Sequence, residues 1–335
     1  MEILSQVHSK RLEEYGYENR NFVVLTADLT DSCEATHFKG KFRERFYTCG
    51  IAEQNMLSLA GGMAREGVIP FIHTFAVFIY RRAYDQIAMS VAYPNVPVKM
   101  FGFLPGIMTP GGASHQAIED IAVMRSLPNM TILEAGDATD VESMFELVYE
   151  IPGPVYIRAL RGEIPRLFDK NDPIKLDTPR IISQGKDLLI FSSGICTEEA
   201  IRAVSILKKS GLSVCHVHIS TLKPFNNPVI EELLNIPKYG VITVENHTVI
   251  GGLGTIIAEK MVEYGIAKKL VKLGLQDTFS HGASKMHLMK YHHFDAAAII
   301  EEAEKLAGKT FGISEKDLAG VRIEAVHSDA KPEGL

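Results

Sequence analysis

Three short stretches carry side chains whose types and spacing suit chemistry. In "RFYTCGIAEQNMLSLAGGMARE" (45–66), Glu53 stands in the first turn of a helix-like pattern built from Ile51, Met56, Leu57, Leu59, Ala60, Met63 and Ala64, with Gly61 and Gly62 among them. A helix with so little polar surface is expected to be buried, and a buried ionised carboxylate is costly unless paired or neutralised. The acid either complements the positive end of its own helix or serves chemistry there. In "GGASHQAIED" (111–120), His115 follows a loop of small residues and precedes a helix. An imidazole beside an open cleft binds or transfers protons, while one at a helix start also caps or faces solvent. In "HTFAVFIYRRAYDQ" (73–86), Phe75 and Phe78 lie at helical i, i+3 spacing, which by itself reads as core, and Arg81, Arg82 and Asp85 follow.

Other familiar signatures are missing. "GGLG" (251–254) follows a strand-like run and opens a helix, but it lacks the third glycine of a dinucleotide loop, and tight strand–helix packing explains its glycines better. The sequence contains no G-x-x-x-x-G-K-[ST], no H-E-x-x-H and no G-x-S-x-G. Cys33, Cys49, Cys196 and Cys215 form neither a C-x-x-C pair nor a metal-ligand spacing, so reduced cytosolic thiols are expected and no metal site is assigned to this chain.

The elements that must position these residues alternate. Strands are expected at 22–28, 68–74, 96–103, 130–136 and 154–160, with helices at 4–15, 51–66, 78–91, 116–125 and 138–150. Strand–helix alternation predicts an α/β layer structure with a mostly parallel sheet. Residues 164–185, "IPRLFDKNDPIKLDTPRIISQG", lose periodicity, carry three prolines and several charges, and read as an interdomain linker. The alternation then restarts with "DLLIFSSG", a helix over 197–209, "LSVCHVHI", a helix over 228–235, "GVITVEN", a helix over 252–264, "KLVKLGL", and helices near 282–290 and 295–307. The last 25 residues are charged and aperiodic.

At 335 residues, with 46% apolar and 23% charged side chains, the chain is long enough for two ordinary domains. A net charge of −6 with no Lys/Arg cluster gives no nucleic-acid footprint. No signal core and no stretch near 18 uninterrupted apolar residues is present, so a cytoplasmic protein without a membrane partner is expected.

In order, "GIAEQNM", "PFIHTFAVFIYRRAYDQI", "GGASHQAIEDIAVMRSLPNMTI", "GPVYIRALR" and "VENHTVIGGLG" resemble the C-terminal half of transketolases. The similarity is nearest to split enzymes whose C-terminal half is a separate polypeptide, extends to deoxyxylulose-phosphate synthase, and covers about residues 4–305. It implies two domains, each a mostly parallel sheet flanked by helices: a pyrimidine-binding domain over 1–163 and, after the 164–185 linker, a transketolase C-terminal domain over 186–310, with a charged tail over 311–335. It implies thiamine diphosphate as cofactor, with Glu53 as the carboxyl group that bonds the 1′-nitrogen of the aminopyrimidine, held neutral by burial. Phe78 would stack on that ring with Phe75 beside it. Asp28 and Ser32 match positions near the cofactor and the substrate channel, His115 matches a substrate-contacting histidine, and Arg161 matches an arginine that grips substrate phosphate.

The departures are specific. The family's Gly-Glu-Asp-Gly before the histidine reads "TPGG", so Pro110 and Gly111 replace the two acids; a basic or imidazole residue near 103–104 is replaced by Phe103-Leu104. No clear counterpart exists for an early phosphate-gripping arginine. No Gly-Asp-Gly occurs either, so the Mg²⁺ and diphosphate half of the site is expected on an N-terminal partner subunit carrying Gly-Asp-Gly…Asn. The expected function is the C-terminal subunit of a heterotetrameric transketolase that moves a two-carbon ketol unit between sugar or aldehyde substrates. The alternatives are the beta subunit of a 2-oxoacid dehydrogenase-like enzyme and a non-catalytic regulatory partner, the latter kept open by the lost loop acids.

Overall fold

In the computed structural model, which describes residues 2–313 and 315–319, apolar runs become strands wherever helices cover both of their faces. The first part of the chain runs β1 (Ile3–Ser5), α1 (Val7–Glu18), β2 (Phe22–Thr26), α2 (Thr36–Lys41), β3 (Phe46–Thr48), α3 (Glu53–Arg65), β4 (Ile69–Phe75), α4 (Ala76–Gln86), β5 (Lys99–Phe103), α5 (Asp120–Arg125), β6 (Thr131–Glu134), α6 (Ala138–Glu150), β7 (Val155–Ala159) and β8 (Glu163–Pro165). The second runs β9 (Arg180–Ser183), β10 (Leu188–Ser192), α7 (Cys196–Lys209), β11 (Val214–His218), β12 (Thr221–Lys223), α8 (Val229–Asn235), β13 (Gly240–Thr248), α9 (Leu253–Glu263), β14 (Leu270–Leu275), α10 (Lys285–Tyr291), α11 (Ala296–Ala307) and α12 (Glu315–Ala319). Every residue of β5, β7 and β10 is buried, as parallel strands sandwiched by helices require.

The first sheet has the order β12-β6-β7-β5-β4-β2-β3, parallel throughout except at the β12–β6 edge. Its register sets Phe75 beside Phe103 and Phe103 beside Ala159, so the carboxyl ends of β4, β5 and β7 are level. The second sheet has the order β14-β13-β10-β11-β9 and is parallel except for β9. No helix among the described residues is long and apolar enough to cross a membrane.

The division of the chain differs from its sequence-based outline. Residues 164–185 are not a plain linker: Ile164 and Pro165 finish the β8 ladder with β1, and Arg180–Ser183 form the antiparallel edge of the second sheet. β12, from within 186–310, crosses back to pair with β6. These strands have three or four residues, too short to show a period, and are defined by distant partners. For the same reason the helix expected from residue 4 begins at Val7, because Ile3–Ser5 are drawn into that ladder. Within 311–335, Glu315–Ala319 form a short helix rather than an aperiodic tail, and residues 314 and 320–335 lie outside the described residues.

Candidate active site

The side chains singled out from sequence sit at or beyond the carboxyl ends of five neighbouring strands of the first sheet, with Glu53 after β3. Asp28 and Ser32 follow β2, Phe75 and Phe78 close β4 and open α4, His115 lies on the long connection after β5, and Arg161 follows β7. Open α/β sheets bind ligands in this position, because the loops there converge on the crevice.

Glu53 is the first residue of α3 and is 3% exposed. α3 buries one face through Met56, Leu57, Ala60, Gly61 and Ala64, while Ile51 and Leu59 are exposed, so the helix is less enclosed than its composition suggests. Gly61 is required by a close approach: a Cβ there would lie 2.3 Å from the carbonyl oxygen of Ser90, in the π-helical turn Ile87–Ala92 that continues α4. The Glu53 carboxyl group does not stand alone in the helix terminus. Arg82 Nη1 donates to Glu53 Oε1 at 2.8 Å, so the buried charge is paired. The Arg82 guanidinium carbon also lies 4.0 Å from the centroid of the Phe78 ring, within cation–π range. Phe75 stacks against Phe78 at 5.8 Å, and the His115 ring meets Phe78 edge-on at 5.5 Å.

His115 is held by its own loop and by both domains. Its Nδ1 is 2.9 Å from Ser114 Oγ. Arg81 clamps both ends of the segment, donating to the Ala113 carbonyl at 2.9 Å and to both carboxylate oxygens of Glu119. The buried Gln116 amide donates to the carbonyl of His281 at 3.2 Å, and Asn246 accepts from Ile107 N and donates to Pro105 O. Below this loop Arg158, wholly buried, donates to Asp120, Glu134 and the carbonyl of Asn246, tying the two sheets together. These polar contacts hold residues 116–119 outside the helix expected from 116, which starts at Asp120.

Arg161 lies 5.7 Å from the Phe75 ring centroid and donates to the Ser32 carbonyl at 2.6 Å. Glu53, Arg82, Phe78, His115, Phe75, Arg161 and Ser32 are therefore linked by successive contacts. Asp28 stands on the same rim, exposed and with φ 62°, but no hydrogen bond or ring contact among the described residues joins it to that series.

Residues 4–166 match the transketolase pyrimidine-binding domain, and residues 178–299 match the transketolase C-terminal domain. The chain belongs to the transketolase family. It is 37% identical over 305 residues to a Methanocaldococcus jannaschii chain named as a transketolase C-terminal section, covering 89% of this chain and 95% of that one. It is 34% identical to a 6-deoxy-6-sulfo-D-fructose transketolase subunit of a Clostridium species (strain MSTE9), covering 88% and 91%. A solved split-gene transketolase, described as an inactive beta4 tetramer, superposes with a TM-score of 0.81 at 36% identity, covering 90% of this chain and 97% of that one. Relatives also include the 1-deoxy-D-xylulose-5-phosphate synthase of Halothermothrix orenii, 32% identical over 90% of this chain and 48% of that protein.

Membership of the transketolase family implies thiamine diphosphate chemistry, and it sharpens what the sequence did and did not reveal. Arg82 was not singled out, although its i, i+4 spacing from Phe78 puts it over that ring. The sequence does not mark Gln116, Asn246 and Arg158 either, since each takes at least one partner from the other domain. Phe103 and Leu104, which stand where the resemblance expects a basic or imidazole residue, are 0% and 1% exposed, and the Phe103 ring packs against His8. They belong to the core and put no apolar wall into the crevice. The "GGLG" glycines are packing glycines: a Cβ at Gly252 would strike Glu245, whose carboxylate caps α9 by accepting from Leu253 N and Gly254 N.

Proposed function

We propose that this chain is the C-terminal subunit of a split, thiamine-diphosphate-dependent transketolase that moves a two-carbon ketol unit from a ketose donor to an aldehyde acceptor, active only with an N-terminal subunit. The observation that carries the reading is the unbroken series of contacts from Glu53 through Arg82 and Phe78 to His115, and through Phe75 to Arg161 and Ser32.

The donor set fits one half of the cofactor. The gap between Glu53 and Phe78 already admits a planar donor, the Arg82 guanidinium, which supports placing the aminopyrimidine there. For the other half the fit fails. Among the described residues no cluster of three or more His, Cys, Asp or Glu side chains is arranged for a metal, and the sequence has no Gly-Asp-Gly. The Mg²⁺ and diphosphate sites are therefore assigned to the partner, in a heterotetramer with cofactor sites at the subunit interfaces. The solved split-gene relative, an inactive tetramer of one chain type, is consistent with that division.

When bound, thiamine diphosphate supplies the carbon that carries the two-carbon unit. In this reading Glu53, itself shielded from water, holds a proton at the pyrimidine ring nitrogen. Phe78 supports the ring face, Phe75 backs it, and Asp28 flanks the cofactor. His115 binds a substrate oxygen and moves its proton, and Arg161 with Ser32 receives the far end of the substrate. We place the subunit in the cytoplasm on its cysteine usage, within carbohydrate metabolism.

Ketol transfer from a ketose to an aldehyde by the chain mixed with its N-terminal partner tests the proposal. Neither chain alone turns over, the mixture does, and Glu53→Gln loses about 10²–10⁴ in rate, as an ordinary proton-transfer residue does. Activity of the lone chain, or full activity of Glu53→Gln in the mixture, contradicts it.

A further inference from the structure

Arg82 holds two partners at once. One guanidinium nitrogen is 2.8 Å from Glu53 Oε1, and the guanidinium carbon is 4.0 Å from the Phe78 centroid. Carbon atoms in contact are about 3.5–4.0 Å apart, so a group at this height leaves no room for a second planar group on the same ring face. The face of Phe78 that the arginine covers is reached by the same guanidinium that bonds Glu53. The Arg82 side chain is nevertheless 45% exposed, whereas that of Glu53 is 3% exposed, so the arginine has a path to solvent and the acid has none.

We propose that Arg82 is the resident of the slot between Glu53 and Phe78 in the free chain, a positioning residue that keeps the buried carboxylate paired until a planar heterocycle replaces it. This rests on the reading of Glu53 and Phe78 as the pyrimidine half of the site. An incoming aminopyrimidine offers what Arg82 offers, a flat face to the phenyl ring and a hydrogen-bond donor to the carboxylate. It competes with the arginine for both, and Arg82 swings to solvent as it enters. Ring entry is thus an exchange of partners, and the arginine lowers the apparent affinity by the strength of the contacts it gives up. An ion pair made by a 45% exposed arginine and a part-exposed cation–π contact together correspond to about 3- to 30-fold in affinity.

The test uses the full-length chain without its partner and 4-amino-5-hydroxymethyl-2-methylpyrimidine as the probe, titrated by calorimetry and ligand-observed NMR. Arg82→Ala binds the probe about 3- to 30-fold more tightly than the unsubstituted chain. Arg82→Lys, which keeps the charge but not the planar group, falls between the two, and Arg82→Met provides a second neutral variant that retains the apolar stem. Phe78→Ala reports whether the probe occupies this slot. Equal or weaker binding by both neutral variants, with Phe78→Ala still weakening the probe, overturns the role of Arg82 while leaving the pyrimidine site standing. Absence of binding by every variant, or binding indifferent to Phe78→Ala, overturns the pyrimidine reading and this inference with it.

Discussion

Gly111 and His115 are in contact across their shared loop: a Cβ at position 111 would lie 3.0 Å from His115 Cγ and 3.1 Å from its Cβ. The family's acid at this position is thus not simply missing from an unchanged loop, because the imidazole lies over the place its side chain would leave. Gly111→Ala forces the histidine to shift by a few tenths of an ångström, and Gly111→Asp by more. Misplacing a substrate-positioning group by about 1 Å costs up to about 10²-fold. Gly111→Ala is expected to lower kcat/KM in the reconstituted enzyme by about tenfold at an unchanged melting temperature. Unchanged kcat/KM in both variants shows that His115 tolerates the shift or does not act.

Phe78 is half-buried, and its ring contacts Arg82, His115 and Phe75. Aromatic stacking contributes about 0.5–1.5 kcal/mol beyond area burial, about 2- to 13-fold in affinity. Phe78→Ala should therefore weaken thiamine diphosphate in the assembled enzyme by at least that factor, with little change in the melt of the free chain. A melt lower by several degrees with cofactor affinity intact makes Phe78 a core residue.

The buried pair His8 and His73, with Nε2 atoms 2.9 Å apart, makes stability depend on pH. One ring donates and the other accepts, so the acceptor is neutral, and burial favours the neutral form of both. Burial lowers both, His8 well below its usual value and His73 to about 3. The unfolded rings take up protons below about pH 6.5 while the folded rings do not, so this contribution is complete above that pH and is lost as pH falls toward 3. His216, lowered to about 3, and His247, lowered to about 4, act in the same direction. Glu245, raised by burial to about 7, acts in the opposite one. Replacing the pair (His8→Leu with His73→Leu) isolates its share: the drop in urea-derived stability from pH 7 to pH 5 should shrink by at least about 2 kcal/mol. An unchanged drop means the pair is already protonated in the folded state.

What the sequence disclosed follows a physical rule. Glu53, Phe75 and Phe78 lie on strongly periodic segments, so their placement follows from local pattern, and the long strands and helices do likewise. β1, β8, β9 and β12 escaped because three- or four-residue strands exist only through partners far along the chain. Arg82 escaped for a different reason. Its spacing from Phe78 was visible, but its second partner, Glu53, lies on another helix and 29 residues away. Composition reports how buried the Glu53 carboxyl group is and not that Arg82 meets it. Arg158 and Asn246 show this at the domain boundary, where side chains of one segment satisfy backbone groups of the other.

The central claim is that this chain holds only the pyrimidine half of a cofactor site, and calorimetry tests it most directly. Thiamine diphosphate with Mg²⁺ is titrated into this chain, into its N-terminal partner, and into the two mixed at equal concentration. The account predicts weak binding that does not depend on Mg²⁺ for this chain alone, and tight, Mg²⁺-dependent binding at one site per pair for the mixture. Tight, Mg²⁺-dependent binding by the isolated chain would contradict it.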